Sequence, residues 1–151
     1  MRYVAVMEGV SVSASQALFE LVAPSNAAVE LVSVRVSNET SETPEQLAIA
    51  LRRGEGSVTA GSGGTTVTPV PIETSQPAYG GTVNRNVTTP MAAGTGAIKV
   101  LHREGWNVVG SGLDWRGRIV IRPGDRADVL LVNAPAAAIT LSAVIEFETQ
   151  G

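Results

Sequence analysis

Residues 16–53, QALFELVAPSNAAVELVSVRVSNETSETPEQLAIALRR, decide the fold. Apolar runs at Ala17–Val22, Val29–Ser37 and Gln46–Arg53 are separated by Pro24-Ser25-Asn26 and by the polar stretch Ser37–Pro44. In the middle run Val32, Val34 and Val36 fall on one side and Ser33, Arg35 and Ser37 on the other. That period of two marks a half-buried strand. The third run is ambiguous at its start. Thr43-Pro44-Glu45-Gln46 has the cap, the proline and the glutamine of a helix N-terminus, and Gly54 would stop a helix. Against this, Leu47, Ile49 and Leu51 alternate strictly with Ala48, Ala50 and Arg52, and a helix would turn Ile49 away from the two leucines. A strand is the better reading.

Working outward, the same signal recurs. Arg2–Met7 and Val10–Ser13 read as short strands on either side of Glu8-Gly9. Ala97–Leu101 and Trp106–Val109 read as strands with His102–Gly105 turning between them. Arg118–Arg122, Ala127–Val132 and the long alternating run Ala137–Glu148 complete the C-terminal third. Pro123-Gly124 fits the centre of a type II turn, in which glycine takes the positive φ. Residues 54–96 are rich in Gly, Ser, Thr and Pro. They offer one strand at Thr82–Thr89 and otherwise long loops, of the kind that are commonly functional or ordered by a partner. Eight to ten short strands divided by turn signals, with no helix, predict an all-β single domain over 1–151: an antiparallel sandwich or a jelly-roll-like barrel.

Composition narrows the function. Apolar residues make up 44% of the 151, enough for a real core. Charged residues make up only 17%, against roughly 25% in an ordinary globular chain, which points to surface that is covered in an assembly. The net charge is −3 and the basic residues are scattered, so the chain lacks the footprint of a nucleic-acid partner. Lys99 is the only lysine among the eleven basic residues; arginine is favoured at protein interfaces. There is no cysteine, hence no disulfide or thiolate metal site. The opening MRYVAVMEGV lacks the apolar core of a signal peptide, and no stretch is long enough to span a bilayer, so neither a standard leader nor a membrane partner is indicated.

Chemistry-bearing patterns are weak. His102 is the only histidine and sits in a solvated turn on this reading. Asp114, Asp125 and Asp128 are the only aspartates; Asp125 is placed to bond turn amides and Asp128 to pair with Arg126 or Arg122. A hard cation would need six or more oxygen ligands, so no metal is expected. The glycine-rich pieces 54–56 and 61–64 lack the lysine of a phosphate-binding loop and the spacing of a dinucleotide fingerprint, so no cofactor is expected. The two Asn-X-Thr triplets at Asn38 and Asn86 count as chance matches without a secretion signal. Among the aromatic residues, Trp106, Trp115, Tyr79 and Tyr3 are candidates for a sugar-binding face. Trp106 opens an apolar strand and reads as core. Trp115, between Asp114 and Arg116 and after Gly110-Ser111-Gly112, is the best exposed candidate for a binding or subunit contact. The candidate interface is therefore Trp115 with Arg116, Arg118 and Tyr79.

Five stretches carry a resemblance of pattern that covers about Val12–Gln150. They are FELVAPSNAAVELVSVRV, the strand ending Arg52-Arg53-Gly54, GSGGTTVTPVPIE, and VLHREGWNVVGSG before the last hairpin RPGDRADVLLVNAPAAAITLSAVIEFET. Together these resemble small β-rich structural proteins of tailed bacteriophages, of the head decoration or cement type. The resemblance implies a jelly-roll-like fold and a virion protein without enzymatic activity. It also implies synthesis in the host cytoplasm and a place on the outer head surface. Its partners would be the major capsid protein and copies of itself, as a homo-oligomer such as a trimer. It carries no functional residue over. The runner-up is a carbohydrate- or receptor-binding module of a tail or spike, motivated by Trp115. A hydrolase built on His102 comes last.

Overall fold

The computed structural model describes residues 1–110 and 112–150; Ser111 of the glycine-rich turn before Trp115 lies outside them. Eleven strands form: β1 Arg2–Val12, β2 Gln16–Val22, β3 Ala28–Asn38, β4 Gln46–Glu55, β5 Thr65–Val67, β6 Val70–Pro71, β7 Thr82–Val87, β8 Ala97–Asn107, β9 Leu113–Ile121, β10 Arg126–Leu131 and β11 Ile139–Gln150. They make two antiparallel sheets, β6-β1-β11-β3-β9 and β5-β7-β2-β10-β4-β8, packed face to face. Without the inserted β5–β7 the sheets read β1-β11-β3-β9 and β2-β10-β4-β8, the nested double Greek key order of a jelly roll. The sheets remain separate, so the molecule is a sandwich and not a closed barrel.

The alternation seen in the sequence sets which side chains go inside. On β11, Ile139, Leu141, Ala143, Ile145 and Phe147 are buried while Thr140, Ser142, Val144, Glu146 and Glu148 are partly exposed. The stretch around 46–53 is strand β4, with Leu47, Ile49 and Leu51 inside; cross-strand pairing and burial of one face outweigh the local helix-start chemistry. In β3 the alternation slips: against β11, Phe147 pairs with Leu31 and Glu146 with Ser33, Leu31 and Val34 are buried, and Val32 is the half-buried extra residue of a bulge.

Several expectations are corrected. The two N-terminal strands are one, β1, bulged at Glu8-Gly9, where Gly9 has φ +51°. The turn expected at His102–Gly105 is continuous strand within β8. The turn at Pro123-Gly124 forms as expected: Gly124 has φ +80° and Asp125 N–H donates to Arg122 C=O at 3.0 Å. Tyr79 and Tyr3 are core residues and not part of a binding face. Tyr79 packs edge-on against Phe147 at 4.9 Å and Tyr3 stacks on Phe147 at 5.7 Å. The Tyr79 hydroxyl donates to Val22 C=O at 2.6 Å, and burial pushes its ionisation well above the ordinary phenol range. Trp106 is buried, as the sequence indicated.

The 54–96 stretch is ordered by its own chain. Residues 57–62 and 89–96 run antiparallel, with paired amide–carbonyl bonds between Thr59 and Ala92 and between Ser62 and Thr89, each at 2.8–3.0 Å. This ribbon lies on the outer face of the six-stranded sheet, where it buries Met91 and covers Glu20 and Asp128.

Candidate functional site: the open flank of the sandwich

The two flanks of the sandwich differ. At one flank the edge strands are β5 and β6, three and two residues long, joined across the sheets by Thr68-Pro69. At the other the edges are β8 and β9, eleven and nine residues long, each paired on one side only. Long unpaired edges are where another chain can add hydrogen bonds.

The β9 edge is partly closed. Arg53 reaches across from β4 and donates to Val120 C=O at 3.2 Å, over a shallow recess of about 400 Å³ walled by Glu55 and Arg122. Trp115 is half-buried against the core, and its indole lies over Gly117, where an added Cβ would come within 2.6 Å of the ring. The ring is tilted toward His102 on β8, with centroids 6.1 Å apart. His102 Nε2 lies 3.2 Å from Glu104 Oε1, but that carboxylate is 47% exposed. The pair therefore lacks the buried carboxylate that orients a catalytic imidazole. Arg116 and Arg118 are about two-thirds exposed. Arg116 approaches Asp114 at 3.7 Å, and Arg118 reaches Glu30 on β3 at 2.9 Å. Trp115, Arg116 and Arg118 are thus brought together on one strand, while Tyr79, on the far side of the core, does not join them.

The β8 edge is open. From Lys99 to Gly105 every residue but His102 is exposed, and Val100 and Leu101, with Val109 just after the strand, are exposed large apolar side chains. Pairing with β4 shifts between Leu51 and Arg52, so one extra residue, Leu101, bulges. Sequence reading found the two ends of this strand, Ala97–Leu101 and Trp106 onward, and broke it at His102–Gly105 because charged residues and Gly105 interrupt the alternation there.

A second exposed apolar cluster lies on the opposite flank. Val70 pairs with Val4 and Val6 with Val144, on the outer face of the five-stranded sheet. Val70 and Ile72 are more than half exposed, and Val6 is 36% exposed.

The strongest electrostatic feature lies elsewhere, under the ribbon. Glu20 and Asp128 are direct cross-strand neighbours and both are buried. Arg52 clamps Asp128 with bonds of 2.9 and 2.6 Å, which corrects the expected pairing with Arg126 or Arg122. Arg126 instead reaches Glu20 at 3.4 Å, and Arg122 reaches Asp125 at 3.0 Å. Glu20 also accepts from Gly61 N–H at 3.0 Å. Burial holds the Asp128 carboxyl above its ordinary range; Arg52 pulls the other way and Glu20 adds to the rise. Every hydrogen-bonding role here is internal, so the cluster fastens the ribbon to the sheet. Among the described residues no group of three or more His, Cys, Asp or Glu is placed to hold a metal ion, and no helix is long and apolar enough to cross a membrane. No protein-family model, curated protein or solved structure matches the chain.

Proposed function

We propose that the chain is a structural virion protein without enzymatic activity, a decoration or cement subunit that binds and stabilises the head of a tailed phage. The observation that supports this reading is the pair of exposed apolar clusters on opposite flanks, Val70, Ile72 and Val6 on one and Val100, Leu101 and Val109 on the other. Four strand spacings separate the flanks, roughly 20 Å. A subunit that ties others together needs two adhesive surfaces on a stiff body, and a two-sheet sandwich supplies the stiffness. The low charge content fits surfaces that are covered in the assembly. The jelly-roll strand order is shared by capsid and lectin domains, so it is compatible with this reading without selecting it. On it, the partners are the major capsid protein and further copies of the chain, on the outer head surface.

The test is made on virions of a phage or prophage that encodes the chain. The expected result is many copies per head by imaging, and a lower inactivation temperature for particles lacking it. Particles that lack the chain in the wild type, or that keep full heat resistance when its gene is deleted, overturn the proposal.

The runner-up, a carbohydrate- or receptor-binding module, is favoured by one feature. Trp115 lies beside His102, which pairs with Glu104, so an aromatic ring sits next to hydrogen-bonding groups. A glycan array probed with the full chain decides it: hits abolished by Trp115→Ala establish the module, and a blank array removes it.

A further inference from the structure

We infer that the β8 edge is a two-fold interface between copies of this chain, in one register, with Lys99 of each copy opposite Glu104 of the other. The inference rests on the adhesive role proposed above and assigns the occupant of one flank.

The bulge fixes the possible registers. Lys99 pairs with Arg53 and Glu104 with Ile49 on β4. Residues 49 and 53 of a strand share a face, so Lys99 and Glu104 also share one, although they are five apart in sequence. The same count puts Val100, opposite Arg52, on the other face together with Arg103, opposite Ala50. When two β8 strands pair antiparallel about a two-fold axis, the residues facing each other have numbers with a constant sum. Without a bulge, only an even sum would match like faces. Here the extra residue Leu101 offsets the halves of the strand, so an odd sum matches them and an even sum sets inward side chains against outward ones.

Among the odd registers, charge selects one. Placing Lys99 opposite Glu104 also sets Val100 opposite Arg103 and Ile98 opposite Gly105, with Leu101 and His102 at the axis. Two oppositely charged pairs form by symmetry, and the Arg103 stem lies along Val100. Moving two residues toward the N-terminus sets Lys99 opposite His102 and leaves Glu104 opposite Ala97. Moving two residues the other way sets Lys99 opposite Trp106, which is buried. Edge strands are commonly protected by charges and bulges. On β8 those same devices exclude the other registers and leave one complementary to itself. A two-fold pair also joins two six-stranded sheets edge to edge. The product is a dimer, where the resemblance implies a possible trimer, with the Val70 flank of each copy facing away from the axis.

The experiment is sedimentation of the full chain from micromolar to millimolar concentration, with exposed charge exchanges. Wild type is expected to dimerise. Lys99→Glu and Glu104→Lys should each weaken dimerisation by about tenfold or more, since each turns two attractive pairs into repulsive ones. An equimolar mixture of the two variants should dimerise again, because every 99–104 pair in the mixed dimer is then oppositely charged. A second measurement is independent of charge. The chain has no cysteine, so Val100→Cys mixed with Arg103→Cys should form a disulfide-linked heterodimer under oxidation faster than either variant links to itself. A monomeric wild type, single variants that dimerise as wild type does, a mixture that stays monomeric, or no preferential cross-link each overturns the inference. A monomer that still coats phage heads would remove the dimer and leave the cement reading. A dimer absent from virions would do the reverse.

Discussion

The outer faces of the two sheets are built from equally alternating strands and meet opposite fates. On the five-stranded sheet, rows such as Arg2–Glu148–Glu30 and Val144–Arg35–Asp114 stay at the surface, and their charges pair in solvent. On the six-stranded sheet the row Asn84–Glu20–Asp128–Arg52 is roofed by the ribbon of residues 57–62 and 89–96. Six residues of β2 in a row, from Gln16 to Leu21, are therefore buried. The same kind of Arg–Asp pair is solvated on one face and enclosed on the other. Position under the ribbon, and not residue type, sets what each is worth.

The sharpest way to break this comparison is Asp128→Ala. It leaves the Arg52 side chain, only 14% exposed, facing Glu20 and the ribbon without its bidentate partner. Removing one member of a buried pair costs about 3 kcal/mol at the low end of the usual range, and the partial exposure of Arg52 places it there. Chemical denaturation should show that loss, and a change below about 1 kcal/mol would mean that the ribbon does not seal the pair.

Next is Gly61→Val. Even a Cβ at this position would lie 2.6 Å from Val87 Cγ1, 2.9 Å from Thr89 C=O and 3.1 Å from Glu20 Oε1. The ribbon must lift or the sheet must yield, at about 2 kcal/mol. Faster amide exchange at Thr59, Ser62 and Thr89 than in β11 should accompany it. Unchanged protection of those amides would show that the ribbon is not seated as described.

How much of this was legible follows the same divide. The alternation of β11 and β4 gave their inner faces directly, because each has one wet and one dry side and the residues obey it. The burial of Glu20 was not legible, since its cover arrives some forty residues later in a stretch with no periodicity. The Arg52–Asp128 pair is non-local for the same reason, and proximity in sequence favoured Arg126 instead. β8 failed differently: an edge strand exposed on both faces has no pattern to obey, so its polar middle read as a turn. Of the candidate residues, Trp115, Arg116 and Arg118 were legible as neighbours in the chain, and one strand carries all three. The apolar β8 edge beside them, and the withdrawal of Tyr79 into the core, were not.

A smaller effect is expected from pH. Burial raises the Asp128 carboxyl above its ordinary value of 3.8, so the folded chain holds that proton more firmly than the unfolded chain does. Between 3.8 and the raised value the folded state binds more protons. The contribution of Asp128 to stability is therefore greatest below 3.8 and is lost as pH rises through the folded value. Asp128→Asn cannot titrate there. The stability of wild type minus that of Asp128→Asn should fall with rising pH across this window. A difference that instead grows with pH would mean that Arg52 outweighs burial.

The smallest effect belongs to the exposed face. Arg35 and Asp114 approach to 3.6 Å, with side chains 58% and 51% exposed. Water already solvates both groups, and holding two long side chains together costs about as much entropy as the screened attraction returns. Arg35→Ala should then change stability by no more than about 0.5 kcal/mol, with little dependence on salt. The comparison is most informative as a pair of double-mutant cycles, one on Arg35 and Asp114 and one on Arg52 and Asp128. Coupling confined to the second cycle is what a roof over one sheet and open water over the other require; equal couplings would mean that the ribbon admits water and that the two faces are alike.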